Sequence, residues 1–109
     1  MSRTLRIVER ARSDVDDIFN WLMNRSVQGA ISWYLTFRQA LENLALSPES
    51  SPVAAESQPL ERQLRQALFK TRRGRVYRIV FEVSDSEVMI LRVRGPGQSP
   101  LRRRDLPGQ

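Results

Sequence analysis

Two segments in the second half of the chain alternate apolar and polar residues with the period of a β-strand. They are RVYRIVFEV (residues 75–83) and EVMILRVR (residues 87–94), and residues that alternate in this way lie on opposite faces of a pleated sheet. The SDSE sequence that joins them is typical of a hairpin turn. These segments predict an antiparallel hairpin that any fold of this chain has to include.

The alternation also predicts which residues share a face. In the first strand we expect Tyr77, Ile79 and Phe81 to face the helices, and Arg78 to lie on the opposite, open face. In the second strand, the pattern places Met89, Leu91 and Val93 on one face and Val88, Ile90, Arg92 and Arg94 on the other. If Arg92 and Arg94 share the face of Arg78, the open side of the sheet carries a cluster of guanidinium groups.

Two helices are predicted upstream of this hairpin, after a short strand in RTLRIVE (residues 3–9). Ser13 stands at a typical N-cap position and acidic residues follow it, so we expect the first helix to begin there and to end near Asn24. Apolar residues at intervals of three and four predict a second helix from just after Ser26 to about Leu46. The short connection between them favours an antiparallel αα-hairpin.

The remaining segments complete a single α+β domain. The segment from Ser47 to Pro59, rich in Pro and Ser, is interpreted as a connecting loop, and a strand is expected from about Gln66 to Thr71. The order is an N-terminal strand, an antiparallel αα-hairpin and a three-stranded antiparallel meander. This order predicts that the helices pack on one face of a curved sheet.

The C-terminal segment differs from the rest of the chain in composition. From Gly95 onward, GPGQSPLRRRDLPGQ is rich in Gly, Pro and Arg, and we expect it to be irregular, or disordered without its partner. The sequence therefore suggests a folded domain at residues 1–96 and a basic tail at residues 97–109.

The composition excludes several kinds of chemistry. The 109 residues include no cysteine and no histidine, which excludes disulfides, thiolate chemistry and the commonest general base and metal ligand. No cofactor or metal site is predicted. No stretch resembles a membrane helix or a signal peptide, so we expect a cytoplasmic protein without a membrane partner. The net charge of +6 favours an anionic partner.

Basic residues around the predicted strands form the candidate functional site. They are Lys70, Arg72, Arg73, Arg75, Arg78, Arg92 and Arg94, followed by Arg102, Arg103 and Arg104. Arginine offers a bidentate fork to phosphate, so this cluster suits contact with nucleic acid. The alternative is a solvated sheet face whose arginines pair with Glu82, Asp85 and Glu87.

Arg78 is the strongest single candidate, because neither strand propensity nor solubility requires a charge in the middle of a strand. Its alternative role is an ion pair with a cross-strand glutamate. Asp14, Asp16 and Asp17 are interpreted as charges at a helix N-terminus and not as acid–base or metal residues. Tyr77 is interpreted as a core residue.

The order and spacing of these segments resemble the RelE/ParE superfamily of bacterial type II toxin–antitoxin toxins over nearly the whole chain. The matching features are a strand running into ARSDVDDI, the helix AISWYLTFRQALENL followed by SP, the segment LRQALFK, and VYRIVFEV followed by EVMILRVR. The resemblance implies a small basic toxin that is neutralised by a cognate antitoxin in a hetero-oligomer, with an extended antitoxin segment wrapped around it.

This superfamily has two main activities. RelE-like toxins cleave mRNA at the ribosomal A site without metal, using Lys and Arg, whereas ParE-like toxins inhibit DNA gyrase and lack that catalytic set. By resemblance, Arg78 matches the arginine of the family's YR strand, and Lys70 lies near the basic residues of the preceding strand. In a nuclease the catalytic residues would be Arg78, Lys70 and Arg94. Contacts with nucleic acid or another target would fall to Arg72, Arg73, Arg75 and Arg92.

The chain departs from the nuclease pattern after the last strand. Gln98 stands where RelE-like chains have an arginine, Gly95 stands where many relatives carry a histidine, and no Tyr or His follows. Loss of one charge-stabilising donor typically costs about 10² to 10³ in rate. We therefore favour ParE-like gyrase inhibition. A RelE-like ribosome-dependent mRNA endonuclease is the alternative, and a non-toxic nucleic-acid-binding or degenerate module is a third hypothesis.

Overall fold

A four-stranded sheet with two long helices on one face forms the body of the protein in a computed structural model, which describes residues 3–107. The strands are β1 (Thr4–Ile7), β2 (Arg65–Phe69), β3 (Tyr77–Val83) and β4 (Glu87–Arg94), and the helices are α1 (Glu9–Met23) and α2 (Val27–Leu46). The strand order is β1-β4-β3-β2, with β1 parallel to β4 and the other neighbours antiparallel. This architecture confirms the predicted α+β fold, including the αα-hairpin and the antiparallel meander.

The first helix begins earlier than the sequence predicts, whereas the second begins where it is expected. Val8 is the N-cap residue of α1, and its N–H donates to the carbonyl of Ile90 at 3.0 Å, so contact with β4 determines where this helix begins. Ser13 lies inside α1, and its predicted role as the N-cap is wrong. The predicted range of α2, from just after Ser26 to about Leu46, is confirmed. The Ser26 hydroxyl caps this helix by accepting a hydrogen bond from the Gly29 N–H at 3.0 Å.

Aromatic residues form the centre of the core between the helices and the sheet. Trp33 and Phe37 of α2 stack with ring centroids 5.7 Å apart, and both contact Phe69 of β2. Alternate residues of β3 from Tyr77 to Phe81 belong to the same core. The predicted inward face of β3 is therefore confirmed.

Fewer apolar residues of α2 are buried than its sequence suggests. Tyr34 belongs to the apolar repeat of this helix but is 38% exposed, and Ile31 and Leu35 are also exposed. Trp33 is buried instead, because it packs against the aromatic rings of β2 and β3.

A second apolar cluster covers the opposite face of the sheet. Its buried members are Ala54, Leu60, Leu64, Val80, Leu91, Leu101 and Leu106. The expectation of an open sheet face is therefore wrong. The expectation of a disordered C-terminal segment is also wrong for the described residues, since Leu101 and Leu106 are only 4% and 6% exposed. These leucines anchor an irregular segment that has no periodic pattern to reveal it.

A β-bulge in β4 changes which residues share a face. Phe81 of β3 pairs with Ile90, but the preceding residue, Val80, pairs with Arg92, so Leu91 is an extra residue in β4. The bulge moves Arg92 to the face opposite the helices, while Ile90 stays in the helix-side core. The predicted grouping of Ile90 with Arg92 is therefore wrong.

Candidate functional site

Three arginines from β3 and β4 lie on the face of the sheet that points away from the helices. Arg78 is directly opposite Arg94, and Arg92 is directly opposite Val80. Directly opposed residues of an antiparallel pair extend their side chains on the same face. The structure thus brings Arg78, Arg92 and Arg94 to one face, which other segments of the chain partly cover.

Arg78 forms a bidentate ion pair with Glu56, which lies just before the short helix α3 (Ser57–Leu60). One terminal nitrogen of Arg78 donates to Oε1 of Glu56 at 2.9 Å, and the other donates to Oε2. The first nitrogen also donates to the side-chain oxygen of Gln66 at 3.1 Å. Arg78 therefore has an acidic partner, but this partner comes from a loop and not from a neighbouring strand.

The Glu56 carboxylate is buried and receives a third donor. The backbone N–H of Leu101 donates to its Oε2 at 3.0 Å, and the residue is only 5% exposed. The hydrogen bond from Arg78 lowers the pKa of Glu56 to about 2, assisted by the Leu101 N–H and opposed by burial. Glu56 is therefore ionised at neutral pH and connects the sheet to the C-terminal segment.

Arg92 is held by two carboxylates and a carbonyl. Its guanidinium donates to both oxygens of Asp14 in α1, at 2.7 and 2.8 Å, and to the carbonyl of Asp105 at 3.0 Å. The Asp105 carboxylate lies 3.8 Å from the same guanidinium. Hydrogen bonding to Asp14 raises the pKa of Arg92, so its charge is permanent and is compensated inside the protein.

Arg94 is buried without a carboxylate partner among residues 3–107. Its guanidinium donates to the carbonyl of Ser99 at 2.6 Å, while its Nε has no hydrogen-bond partner within that described range. Burial, followed by the nearby charge of Arg92, lowers the pKa of Arg94. This residue adds positive charge to the face that carries Arg78.

The C-terminal segment is attached to the body by arginine side chains that donate to its backbone carbonyls. The four donor and acceptor pairs are Arg94 with Ser99, Arg10 with Arg104, Arg92 with Asp105, and Arg62 with Pro107. These four arginines thus stabilise the fold of the protein itself. Arg62 also forms a bidentate ion pair with Glu82, so this carboxylate pairs with Arg62 and not with an arginine of the sheet.

Four other candidate residues lie at the tip of the β2–β3 hairpin, because β2 ends at Phe69 and not at Thr71. We call this set the basic loop: Lys70, Arg72, Arg73 and Arg75. All four residues are exposed. They form no ion pair with any residue in the range 3–107. The basic loop is therefore a separate surface from the buried arginine cluster. The remaining candidates, Arg102, Arg103 and Arg104, lie exposed in the C-terminal segment.

The turn after β4 leaves little room for a side chain at Gly95. A Cβ atom on Gly95 would lie 2.9 Å from Cε2 of Tyr77, and the Tyr77 ring is packed against Trp33 and Phe69. The side-chain oxygen of Gln98 accepts a hydrogen bond from the Gly95 N–H. Gln98 thus stabilises this turn.

Sequence reasoning misses two acidic residues of the arginine cluster. Glu56 lies in a Pro- and Ser-rich loop without a periodic signal. Asp14 lies within α1 and not at its N-terminus, as do Asp16 and Asp17, so the interpretation of these three residues as terminal charges is wrong. A charge removed from water is costly without a partner, and an ion pair with a cross-strand glutamate was the alternative role of Arg78. The structure has the ion pair, but its partner is Glu56 of the loop.

A groove of about 450 Å³ opens beside the Arg78–Glu56 pair. Its lining is mainly apolar and includes Pro59, Leu60 and Pro100. Across residues 3–107, no group of His, Cys, Asp and Glu side chains is arranged to hold a metal ion. No helix in the described part of the chain is long and apolar enough to cross a membrane.

Two solved toxin–antitoxin structures match the chain, and the first of them has a similar fold. The chromosomal ParDE toxin–antitoxin system from P. aeruginosa matches with a TM-score of 0.65 and 17% sequence identity, over 86% of this chain and 96% of that chain. The RelBE2 toxin–antitoxin complex from Mycobacterium tuberculosis matches more weakly, with a TM-score of 0.44 and 23% identity, over 87% of this chain and 99% of that chain. No curated protein shows significant sequence similarity to the chain.

The family follows from the sequence match. The family model for the ParE toxin of the type II toxin–antitoxin system parDE matches residues 5–100. This range includes both long helices, the basic loop and both residues of the Arg78–Glu56 pair. The chain therefore belongs to the ParE toxin family of type II toxin–antitoxin systems.

Proposed function

We propose that this protein is a toxin that inhibits DNA gyrase and is neutralised by a cognate antitoxin in a cytoplasmic hetero-oligomer. The observation that carries this proposal is the ParE family match over residues 5–100. The P. aeruginosa neighbour is a ParDE toxin–antitoxin system, and by analogy an antitoxin is the expected partner here.

The hydrogen bonds that Arg78 and Arg94 make within the protein support a ParE-like action over RNA cleavage. A metal-free nuclease has to present cationic and proton-transferring groups to the scissile phosphate. Here both terminal nitrogens of Arg78 are engaged by Glu56, and Arg94 donates to Ser99 within the C-terminal segment. Tyr77 is buried on the helix side of the sheet, where burial raises the pKa of its hydroxyl.

The basic loop is the proposed contact surface for the target. Its four cationic side chains are exposed, so they can bind an acidic protein surface or DNA without breaking the buried ion pairs. Substituting them leaves the buried clusters intact. The loop therefore allows target binding to be tested separately from folding.

The first test is induction of the protein in bacteria without an antitoxin, followed by a supercoiling assay with purified gyrase and relaxed plasmid. We expect growth arrest and loss of supercoiling with the wild-type protein. The triple variant Arg72→Ala/Arg73→Ala/Arg75→Ala should lose most of the effect while its melting temperature stays unchanged. Arg38→Ala, which removes an exposed arginine of α2, is the control and should remain active.

Three arginines on one sheet face favour RNA cleavage as the second candidate function. Primer extension on a defined mRNA in a reconstituted translation system tests it, with Lys70→Ala as the variant because Lys70 is exposed. Codon-specific cuts that require ribosomes and Lys70 would establish a nuclease and argue against gyrase as the target. Normal growth after induction of folded protein would contradict both toxin activities and leave a non-toxic or degenerate module.

A further inference from the structure

The environment of the Glu56 carboxylate has the composition of an oxyanion-binding site. Its donors are the two terminal guanidinium nitrogens of Arg78 and the backbone N–H of Leu101. A bidentate guanidinium and a converging backbone N–H are groups that proteins use to bind carboxylate or phosphate. In this structure the anion in the site is the protein's own side chain.

The loop that carries Glu56 is also held in place by other contacts. The Ser57 hydroxyl donates to the Leu64 carbonyl at 2.7 Å and accepts from the Leu64 N–H at 2.9 Å. The Ala54 N–H donates to the same carbonyl at 2.7 Å, and Leu60 packs into the second apolar cluster. The backbone of this loop therefore has anchors that are independent of the Glu56 carboxylate.

The surrounding charge favours an anion even when Glu56 is absent. Arg94 lies directly opposite Arg78, and like charges at directly opposed strand positions destabilise each other. The nearby carboxylates of Asp14 and Asp105 form their ion pairs with Arg92 and act on Arg94 only from a greater distance. Without Glu56, Arg78 would have no carboxylate partner among residues 3–107 and would still face the positive charge of Arg94.

A groove leads from solvent to the site that Glu56 fills. The groove of about 450 Å³ is lined by Glu56, Gln66 and Arg78, together with Arg102 and Arg103. Arg78 has 21% of its side chain exposed, whereas Glu56 has 6%. An external group can thus reach Arg78 through the groove once the Glu56 side chain has left.

We propose that Glu56 is an internal ligand that closes an oxyanion site formed by Arg78 and the Leu101 N–H, and that an external carboxylate or phosphate group binds there when Glu56 leaves. In the closed state, Glu56 and the C-terminal segment together keep Arg78 from anions in solution. The contact is therefore autoinhibitory for anion binding at this face. This inference does not depend on which target the protein acts on.

The test compares melting temperatures of the wild-type protein, Glu56→Ala and Glu56→Gln in increasing sodium phosphate, with sodium chloride adjusted to keep the ionic strength constant. We expect phosphate to raise the melting temperature of Glu56→Ala by about 5 °C at ten times its dissociation constant. Glu56→Gln should respond less, since its amide still fills the site. The wild-type protein and Glu61→Ala, which removes an exposed glutamate of the same region, should not respond.

A second arm identifies the site and the class of anion. The double variant Glu56→Ala/Arg78→Ala should lose the phosphate response, because the bidentate donor is gone. Sodium acetate in place of phosphate shows whether a carboxylate binds more tightly, as expected for an acidic protein segment, or less tightly, as expected for a nucleic-acid phosphate. Either order of affinity supports the site.

Two results would overturn the proposal. One is a phosphate response of the wild-type protein as large as that of Glu56→Ala, which would place the anion elsewhere. The other is the absence of any response in both Glu56 variants. A variant that is unfolded in chloride and stays unfolded at every phosphate concentration counts as such an absence, because a bound anion would stabilise its folded state.

Discussion

Asp14 of α1 accepts two hydrogen bonds from the guanidinium of Arg92 in β4, at 2.7 and 2.8 Å, and its Oδ2 also accepts the backbone N–H of Val93 at 2.9 Å. One carboxylate thus binds both the side chain and the backbone of β4. The contact lies beyond Ile90, the last residue of β4 that pairs with β1. It connects the first helix to the end of the strand that carries the arginine cluster.

Replacing Asp14 with Asn should strongly destabilise the fold. The change leaves the buried charge of Arg92 without its principal partner, and breaking a buried pair in this way costs about 3 kcal/mol or more. Urea unfolding at pH 7 measures the loss. Asp17→Asn in the same helix is the matched control, because Asp17 is exposed and should change stability by less than about 0.5 kcal/mol. Equal losses in the two variants would contradict a special role for Asp14.

The stability that Glu56 contributes should depend on pH in the acidic range. Its pKa is lowered from 4.5 to about 2 by the hydrogen bond from Arg78. Because the folded-state pKa is lower than the unfolded one, the contribution is complete above about pH 4.5 and is lost as the pH falls towards 2. A shift of this size corresponds to a contribution on the order of 3 kcal/mol.

Unfolding free energies of the wild-type protein and Glu56→Gln, measured with urea from pH 7 down to pH 2.5, test this dependence. The difference between the two should be constant above pH 5 and should shrink below it. The pKa values of Glu49 and Asp105 are also lowered, but both residues are present in both proteins and cancel in the difference. A difference that stays constant down to pH 2.5 would show that the ion pair does not shift the titration of Glu56.

Placing a side chain at Gly95 should destabilise the turn after β4. A Cβ atom there would be 2.9 Å from Cε2 of Tyr77, and overpacking a core contact typically costs about 1 to 3 kcal/mol. The unfolding free energy of Gly95→Ala measures the cost. In the Tyr77→Leu background, which lacks Cε2, the same substitution should cost clearly less. An unchanged cost would mean that the backbone of Gly95, and not the Tyr77 ring, makes the position sensitive.

Leu101→Ala should show that the C-terminal segment is part of the folded core. Leu101 is 4% exposed in the second apolar cluster, and truncation of a buried leucine to alanine typically costs about 2 to 5 kcal/mol. Leu35→Ala on the exposed side of α2 is the control, since Leu35 is 62% exposed. Thermal unfolding of both variants measures the difference. If the Leu101→Ala protein is as stable as the control, the C-terminal segment is a peripheral tail and not part of the core.

Local sequence patterns determined the secondary structure and the fold class. The period of two in β3 and β4, and the spacing of three and four in α2, predicted elements that the structure confirms. The start of α2 just after Ser26 was predicted from its apolar repeat, and the hydrogen bond that caps this helix joins residues only three apart in sequence. Family membership is also determined by the sequence, because the family model matches residues 5–100.

The tertiary structure alone decided the surroundings of the arginines. The partners Arg78–Glu56 and Arg92–Asp14 are separated by 22 and 78 residues, and no local pattern encodes contacts over such distances. The bulge at Leu91 reverses the face of Arg92 relative to simple alternation. The sheet face that was predicted to be open is covered by an apolar cluster that includes Leu101 and Leu106 of an aperiodic segment. Isolated charges are costly to remove from water, but only the fold determines which arginines are covered and which carboxylates lie within reach of them.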